Sequence, residues 1–205
     1  PDTKLPVGIV DGTAISAMRT GASGGVAIDL LAMKNAKTML ICGAGAQAPT
    51  QFEAAKIVRP NIDTLYVYDI KTENAMRFKE NMQAKYPQVN VIVTEDVEDA
   101  SRKSDIIDCV TLASEPFIKG EWLKKGCLVM NMADYEVDNE CVKRADKLVV
   151  DFWENIKHRM ISTVALMWRD GLVKDEDMIL LTKNGMGIRF NSMDVGATSR
   201  ATVGV

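Results

Sequence analysis

The sequence predicts an α/β protein in which helices cover both faces of a parallel β-sheet. Short runs that are almost wholly apolar alternate along the chain with amphipathic stretches, and strands buried on both faces are typically apolar throughout. A second observation is the turn that ends one of these runs, Gly43-Ala-Gly-Ala-Gln-Ala48. An apolar strand, a Gly-x-Gly-x-x-Ala turn and a helix, in that order, are typical of doubly wound, Rossmann-type sheets that bind dinucleotides.

The first part of the chain predicts a strand at residues 7–11 and then a helix within residues 13–33. Gly21, Gly24 and Gly25 would allow this helix to pack closely against another backbone. We place Arg19-Thr20 just before the helix. An arginine and a hydroxyl at a helix start can hold an anion; the alternative is a surface arginine beside a threonine N-cap.

The nucleotide unit starts with a strand at residues 37–42 and a helix at residues 49–59. Gly43 would allow the tight turn between them, and Gly45 would let the backbone approach a pyrophosphate. The N-terminus of the helix would then offer unpaired N–H groups to the phosphates. The alternative is a purely structural glycine turn.

A second strand is predicted at residues 64–69 and ends in Asp69. A carboxylate at this position accepts a hydrogen bond from a ribose 2′-OH and repels a 2′-phosphate, which favours NAD over NADP. Ile70 follows Asp69 and is assigned to the same site. Lys71 is a nearby cation that could accept the phosphate instead.

Later segments continue the alternation of strands and helices. Helices are predicted at 72–86, 95–103 and 138–144, strands at 89–93, 105–110, 127–132 and 147–150, a turn at 121–125, and a long amphipathic stretch at 153–169. Loops at the carboxyl ends of parallel strands line the ligand crevice. Thr111 and Leu112 are therefore expected to touch the ribose or the nicotinamide, and Asn131-Met-Ala-Asp134 stands at the end of the next strand.

Composition limits the class of protein. The chain of 205 residues is 47% hydrophobic and 26% charged, which suits one substantial core, and its net charge of −3 gives no electrostatic argument for nucleic acid or an anionic membrane. No signal peptide and no membrane-spanning run are recognised, so a cytoplasmic location is expected. Cys42, Cys109, Cys127 and Cys141 are scattered, and reduced thiols without a metal site are expected. His158, the only histidine, is interpreted as a solvated helix residue.

Several segments together resemble the ornithine cyclodeaminase/mu-crystallin family. They are Asp11-Gly-Thr-Ala-Ile-Ser-Ala-Met-Arg-Thr-Gly-Ala22, Ile41-Cys-Gly-Ala-Gly-Ala-Gln47, Asn131-Met-Ala-Asp134 with Val142–Asp151, and Phe190-Asn-Ser-Met-Asp-Val-Gly196. The resemblance implies a Rossmann domain cut from a longer chain, with residues 1–18 ending a substrate and dimerisation domain, residues 19–190 forming the dinucleotide domain, and residues 191–205 returning toward the first domain. A homodimer is implied for the full-length protein.

The resemblance also implies roles for individual residues. Arg19 would hold the substrate carboxylate beside the cofactor, and Asp134 would act as the catalytic acid or base. The remaining residues would bind NAD: Thr20, Gly43, Gly45, Ala46 and Gln47 at the pyrophosphate, Asp69 and Ile70 at the adenosine ribose, and Thr111, Leu112, Asn131, Met132, Ala133 and Ser192 toward the nicotinamide.

The implied function is an enzyme that transfers a hydride between NAD and the α-carbon of an amino acid, giving an imine. The family continues after its catalytic aspartate with a Pro-Gly-Lys-containing loop, whereas this chain runs Asp134-Tyr-Glu-Val-Asp138. That difference favours another amino acid or imine over ornithine, and it leaves a structural role open for Asp134. The alternatives are a non-catalytic binder of the mu-crystallin type, and a segment that binds cofactor without turnover because its substrate domain is absent.

Overall fold

Five parallel strands form the sheet around which the first part of the molecule is built. The computed structural model describes residue 6, residues 8–181 and residues 187–189. These residues divide into two compact units: the first contains the described residues up to Thr111 together with Lys124–Met132, and the second contains Leu112–Leu123 and the described residues from Ala133 onward.

The sheet of the first unit has the order β3-β2-β1-β4-β5, and all its pairings are parallel. Its strands are β1 Thr38–Cys42, β2 Thr64–Tyr68, β3 Asn90–Val93, β4 Ile106–Cys109 and β5 Leu128–Asn131, and its helices are α1 Gly12–Leu31, α2 Ala48–Val58, α3 Thr72–Lys85 and α4 Val97–Lys103. The predicted α/β class and the parallel Rossmann-type sheet are therefore confirmed.

The central strands are apolar because the first unit buries them. Four of the five residues of β1 and all four of β4 are buried. Phe52 of α2 and Phe78 of α3 pack with Leu65 and Ile106 in one core. Each fully buried aliphatic or aromatic side chain of this kind stabilises the fold by roughly 1.5–3 kcal/mol.

Helix α1 starts earlier than the sequence indicated. The predicted strand at residues 7–11 is wrong for the described residues, because residues 8–10 have no regular structure and Asp11 caps α1 by accepting a hydrogen bond from the Thr13 N–H at 2.9 Å. The placement of Arg19-Thr20 at a helix start is also wrong. Both lie inside α1, and the Thr20 hydroxyl donates to the Ser16 carbonyl at 2.8 Å.

The glycines of α1 allow it to lie directly against α2. A Cβ on Gly21 would lie 2.7 Å from the Thr50 carbonyl oxygen, and one on Gly25 would lie 2.9 Å from the Ala54 Cβ. The Thr50 hydroxyl also donates to the Ala17 carbonyl at 2.9 Å. The predicted reason for these small residues, close approach of another element, is confirmed.

Arg59 joins the C-terminal end of α2 to that of α1. Its side chain is 4% exposed. The guanidinium donates to the carbonyls of Ile28, Asp29 and Ala32 at 2.8–3.0 Å, and it forms an ion pair with the Asp29 carboxylate at 3.0 Å. The last carbonyls of a helix lack partners within the helix. The Ile28 carbonyl also accepts from the Ala32 N–H at 3.0 Å, so Arg59 supplies the missing donors at Asp29 and Ala32.

The second unit has a small sheet of its own, with the order β6-β7-β8. Its elements are β6 Leu148–Val150, β7 Met178–Leu181, β8 Gly187–Arg189, α5 Asn139–Lys143, α6 Trp153–Arg159 and α7 Thr163–Arg169, with short 3-10 helices at Gly120–Trp122 and Asp175–Asp177. The strand predicted at residues 147–150 is present, but it pairs in parallel with β7 and not with the five-stranded sheet.

The amphipathic stretch predicted at residues 153–169 is two helices. Met160 adopts a left-handed backbone (φ 53°) that ends α6. Ser162 then caps α7, because its side chain accepts a hydrogen bond from the Ala165 N–H at 3.3 Å. Trp153 and Met167 pack into the core of this unit, which explains their helical spacing.

The single histidine lies on a helix, as the sequence predicted, and three of the four cysteines are buried. His158 is exposed on α6. The cysteines are free thiols; Cys42, Cys109 and Cys141 are buried, and burial raises the pKa of the partly exposed Cys127 to about 12. Within the described part of the chain, no helix combines the length and the apolar character needed to cross a membrane.

Candidate functional site

The glycine turn follows β1 directly, and Gly43 is the residue that makes it possible. Gly43 has φ +95°, and a Cβ there would lie 2.7 Å from the Val110 carbonyl oxygen. Its N–H donates to the Tyr68 carbonyl at 2.8 Å, so the turn continues the sheet before it bends away. A residue with a side chain would be strained and would collide with the end of β4.

Gly45 lies on the open side of the same turn. A Cβ on Gly45 would meet no heavy atom within 4 Å. Helix α2 begins three residues later, and its N-cap residue Gln47 makes no side-chain capping hydrogen bond. The backbone N–H groups of Ala46 and Gln47 stand just before the first residue of α2, where the partial positive charge of a helix N-terminus suits an anion such as a pyrophosphate.

The carboxylate of Asp69 holds the glycine turn against the end of β2. One oxygen accepts a hydrogen bond from the Ala44 N–H at 2.8 Å. The other accepts from the Lys71 N–H at 2.8 Å and from the Asn74 amide at 3.5 Å. Asp69 is half-buried, and Ile70 next to it is exposed. In dinucleotide-binding folds, an acidic residue at this strand end accepts a hydrogen bond from a ribose 2′-OH.

A cleft of about 270 Å³ adjoins this turn. The turn residues Ala44–Ala46 and Pro49 line one side, and Asn74, Arg77, Phe78 and Asn81 of α3 line the other. The sequence pattern did not predict Asn74 or Arg77 at this site. Two features of the sequence could have identified them. Asn74 lies only five residues beyond Asp69, and residues three apart on a helix, such as Asn74 and Arg77, share one face.

The structure brings Thr111 and Asn131 to neighbouring strand ends. Asn131 is the last residue of β5 and pairs with Cys109 of β4, and Thr111 follows β4 by two residues. The Met132 side chain packs partly against the core of the first unit, and its N–H donates to the Cys109 carbonyl at 3.0 Å. Met132 therefore contributes packing at this strand end.

The other residues assigned to the cofactor have diverse surroundings. Leu112, in the second unit, is fully exposed. Arg19 is exposed on α1, and the Thr20 hydroxyl donates to the Ser16 carbonyl of the same helix. The Ala133 N–H donates to the Glu136 carboxylate at 3.2 Å. Ser192 lies outside the described residues.

Asp134 lies in the second unit and forms an ion pair that the sequence did not predict. Its carboxylate accepts a hydrogen bond from the Arg159 guanidinium at 2.8 Å. The side chains are 34% and 51% exposed. Thr163 holds the same loop, because its N–H donates to the Asp134 carbonyl at 3.3 Å and its hydroxyl to the Val137 carbonyl at 2.6 Å. The carboxylate is therefore fixed in position and accessible to solvent.

The sequence profile of the ornithine cyclodeaminase/mu-crystallin family matches residues 1–177. The chain belongs to this family. The resemblance predicted from the sequence is thereby confirmed.

The chain is similar to two curated dehydrogenases. It is 29% identical to N-((2S)-2-amino-2-carboxyethyl)-L-glutamate dehydrogenase of Staphylococcus aureus, over 92% of this chain and 62% of that protein. It is 30% identical to alanine dehydrogenase of Archaeoglobus fulgidus, over 92% of this chain and 64% of that protein. The chain thus spans less than two thirds of the length of these curated relatives.

Two solved structures have the same fold as this chain. Delta(1)-pyrroline-2-carboxylate reductase of Thermococcus litoralis, in complex with NADH and L-proline, has a TM-score of 0.77 and 36% identity, over 88% of this chain and 56% of that chain. An archaeal alanine dehydrogenase dimer with bound NAD has a TM-score of 0.75 and 28% identity, over 88% and 55% of the two chains.

Proposed function

We propose that this protein binds NAD(H) and catalyses oxidation or reduction at the carbon–nitrogen bond next to a carboxylate, between an α-amino acid and its imine. The observation that carries the proposal is the turn after β1. Gly43 has a backbone conformation that favours glycine, and Gly45 leaves open space beside the N-terminus of α2. Asp69 lies at the end of β2 beside this turn, and its carboxylate is proposed to accept a hydrogen bond from the adenosine ribose.

The substrate class is supported by the relatives. Alanine is an α-amino acid, and pyrroline-2-carboxylate is a cyclic imine that carries a carboxylate on the imine carbon, so both names describe the same type of centre. The bound nicotinamide supplies or accepts the hydride of this reaction. Arg19, an exposed cation on α1, binds the substrate carboxylate in this proposal. Asp134 gives or takes the proton on the substrate nitrogen.

The whole protein is proposed to act as a homodimer in the cytoplasm. The related archaeal alanine dehydrogenase is a dimer with bound NAD. The family membership and the free cysteines of the described residues support an enzyme of a reducing compartment. The domain limits at residues 18 and 190 stay predictions.

Gly45→Val tests the cofactor site and should leave the fold unchanged. The new side chain enters open space at a backbone conformation that tolerates it, so the melting temperature should not change. It fills the place proposed for the pyrophosphate, and NADH affinity measured by calorimetry should fall by about tenfold or more. Gly8→Val is the matched control, because a Cβ there also meets no atom within 4 Å. Equal NADH affinity of Gly45→Val and wild type would exclude this turn as the cofactor site.

Turnover tests the reaction itself. The full-length natural protein should oxidise NADH when supplied with α-imino acids, cyclic and acyclic, and should reduce NAD⁺ with the matching α-amino acids, both followed by the absorbance of the reduced nicotinamide. Nicotinamide oxidation without any imine is the control for background. A protein that binds NADH tightly and turns over none of these substrates would be a non-catalytic binder, and the proposed reaction would be wrong.

A further inference from the structure

The ion pair of Asp134 and Arg159 puts a cation next to the carboxylate that is proposed to hold the substrate nitrogen. The Arg159 Nη2 donates to the Asp134 Oδ2 at 2.8 Å, and the Arg159 side chain is 51% exposed. Among the described residues, Asp134 is the only hydrogen-bond partner of the Arg159 side chain. A guanidinium has five N–H donors, so most donors of Arg159 are available to a ligand.

The backbone that carries each partner of this ion pair is held in place. Helix α6 ends at the arginine, and two residues earlier the Lys157 ammonium lies 5.5 Å and 5.0 Å from the ring centroids of Trp153 and Trp168. Contacts of a cation with aromatic rings are attractive, so they hold α6 to the core of the second unit. On the other side of the pair, the Thr163 N–H donates to the Asp134 carbonyl at 3.3 Å. The two charges therefore keep their spacing when a ligand arrives.

The two charges of this pair complement those of a substrate that carries a second carboxylate. A protonated substrate nitrogen beside Asp134 is positive, and hydrogen bonds of about 3 Å on either side of Asp134 place the Arg159 guanidinium within about 6 Å of that nitrogen. Carbon–carbon and carbon–nitrogen single bonds are about 1.5 Å long, so a carboxylate one or two methylene groups beyond the α-carbon ends about 4 Å from the nitrogen. Such a carboxylate is within hydrogen-bond reach of the guanidinium.

Other substrate side chains are less well suited to this position. An ammonium at the end of the side chain, as in ornithine, would be repelled by the guanidinium. An apolar side chain would make no hydrogen bond to it. Guanidinium groups bind carboxylates with paired hydrogen bonds, so a second carboxylate is the group that Arg159 favours.

We propose that Arg159 binds a second carboxylate of the substrate, so that the protein acts on dicarboxylic α-amino acids and their imines. The proposal rests on the proposed function, because Asp134 must hold the substrate nitrogen. In that reaction the imine carbon gains a hydride from the reduced nicotinamide and the nitrogen gains a proton, which gives the amine and the oxidised nicotinamide. Arg159 takes part in neither transfer. It selects the substrate by binding the carboxylate of the side chain, while Asp134 binds the nitrogen.

Steady-state kinetics of the full-length natural protein with pairs of isosteric amino acids tests this substrate class. Glutamate and aspartate carry the second carboxylate, whereas glutamine and asparagine carry an amide of the same shape. Wild type should oxidise the acid of each pair with a kcat/KM about tenfold or more above that of the amide. Arg159→Gln should lower kcat/KM for the acids by about tenfold or more, mainly through KM, and leave that for the amides within about twofold, because glutamine can still donate to Asp134. Arg159→Lys should retain part of the preference.

Arg169→Gln is the matched control, since Arg169 belongs to the same unit, is 56% exposed and also pairs with an aspartate. It should leave the kinetic constants for acids and amides unchanged. Wild type that oxidises acids and amides equally would overturn the role of Arg159 and leave the proposed function standing. The same holds if Arg159→Gln slows acids and amides alike or changes neither. Wild type that reduces NAD⁺ with no acidic, amide or apolar amino acid would overturn both proposals.

Discussion

Asp134→Asn should lower kcat of the full-length natural protein by about 10²- to 10⁴-fold, the usual contribution of a positioned acid or base. The asparagine oxygen can still accept the hydrogen bond from Arg159, but the amide cannot take up a proton. KM and the affinity for NADH should change little, because the glycine turn and Asp69, which we assign to the cofactor, belong to the first unit. Initial rates over a range of substrate concentrations, with calorimetry for NADH, measure these quantities separately.

Asp170→Asn provides the matched control for this experiment. Asp170 is also an exposed carboxylate of the second unit, and Arg169 donates to it at 2.8 Å. An exposed ion pair of this type contributes roughly 0–1 kcal/mol, so both variants should fold. Unchanged kcat in Asp134→Asn would mean that the carboxylate only holds Arg159. Arg159→Gln then separates the two roles of the ion pair. If the pair is purely structural, its removal changes the stability of the protein without changing kcat.

Arg59→Leu should lower the free energy of unfolding by about 3 kcal/mol, a large effect for one substitution. The leucine fills part of the buried space but donates no hydrogen bonds. The Ala32 carbonyl loses the Arg59 donor, and the Asp29 carboxylate loses its buried cation. Arg59→Lys keeps the charge with fewer donors and should fall between leucine and wild type. Urea unfolding followed by circular dichroism measures the differences.

Arg102→Leu is the control for Arg59→Leu. Arg102 is 50% exposed and pairs with Glu98 one turn earlier on α4. Its replacement should change the free energy of unfolding by no more than about 0.5 kcal/mol. Equal effects at the two positions would show that the contacts of Arg59 with α1 do not stabilise the protein.

The parts of the fold that the sequence predicted are those decided by local pattern. All of β4 and all of β1 except Thr38 are buried, so their largely apolar runs identified them. The glycine turn was recognised because Gly43 needs a backbone that few other residues adopt. Asp69 was found by its distance along the chain from that turn, and it contacts the turn in the structure.

The parts that the sequence did not predict depend on contacts between distant segments. Arg19 and Thr20 were placed before α1, whereas the helix begins at Gly12 and packing against α2 compensates for the low helix propensity of its glycines. The partner of β6 is β7, nearly thirty residues further along the chain. Arg159 lies at the end of α6 and Asp134 in the loop after β5, and nothing in the local pattern of either segment indicates their ion pair.

The contacts of α2 with α1 have a consequence for the thermodynamics of ligand binding. Near its start, the Thr50 hydroxyl holds α2 to Ala17, and at its end Arg59 holds it to the last turn of α1. A helix anchored at both ends cannot slide along its axis. The amides at its N-terminus are therefore preorganised before a phosphate arrives, and little conformational entropy is lost when it binds. Loosening either anchor would appear in calorimetry as a less favourable binding entropy, at positions that never touch the ligand.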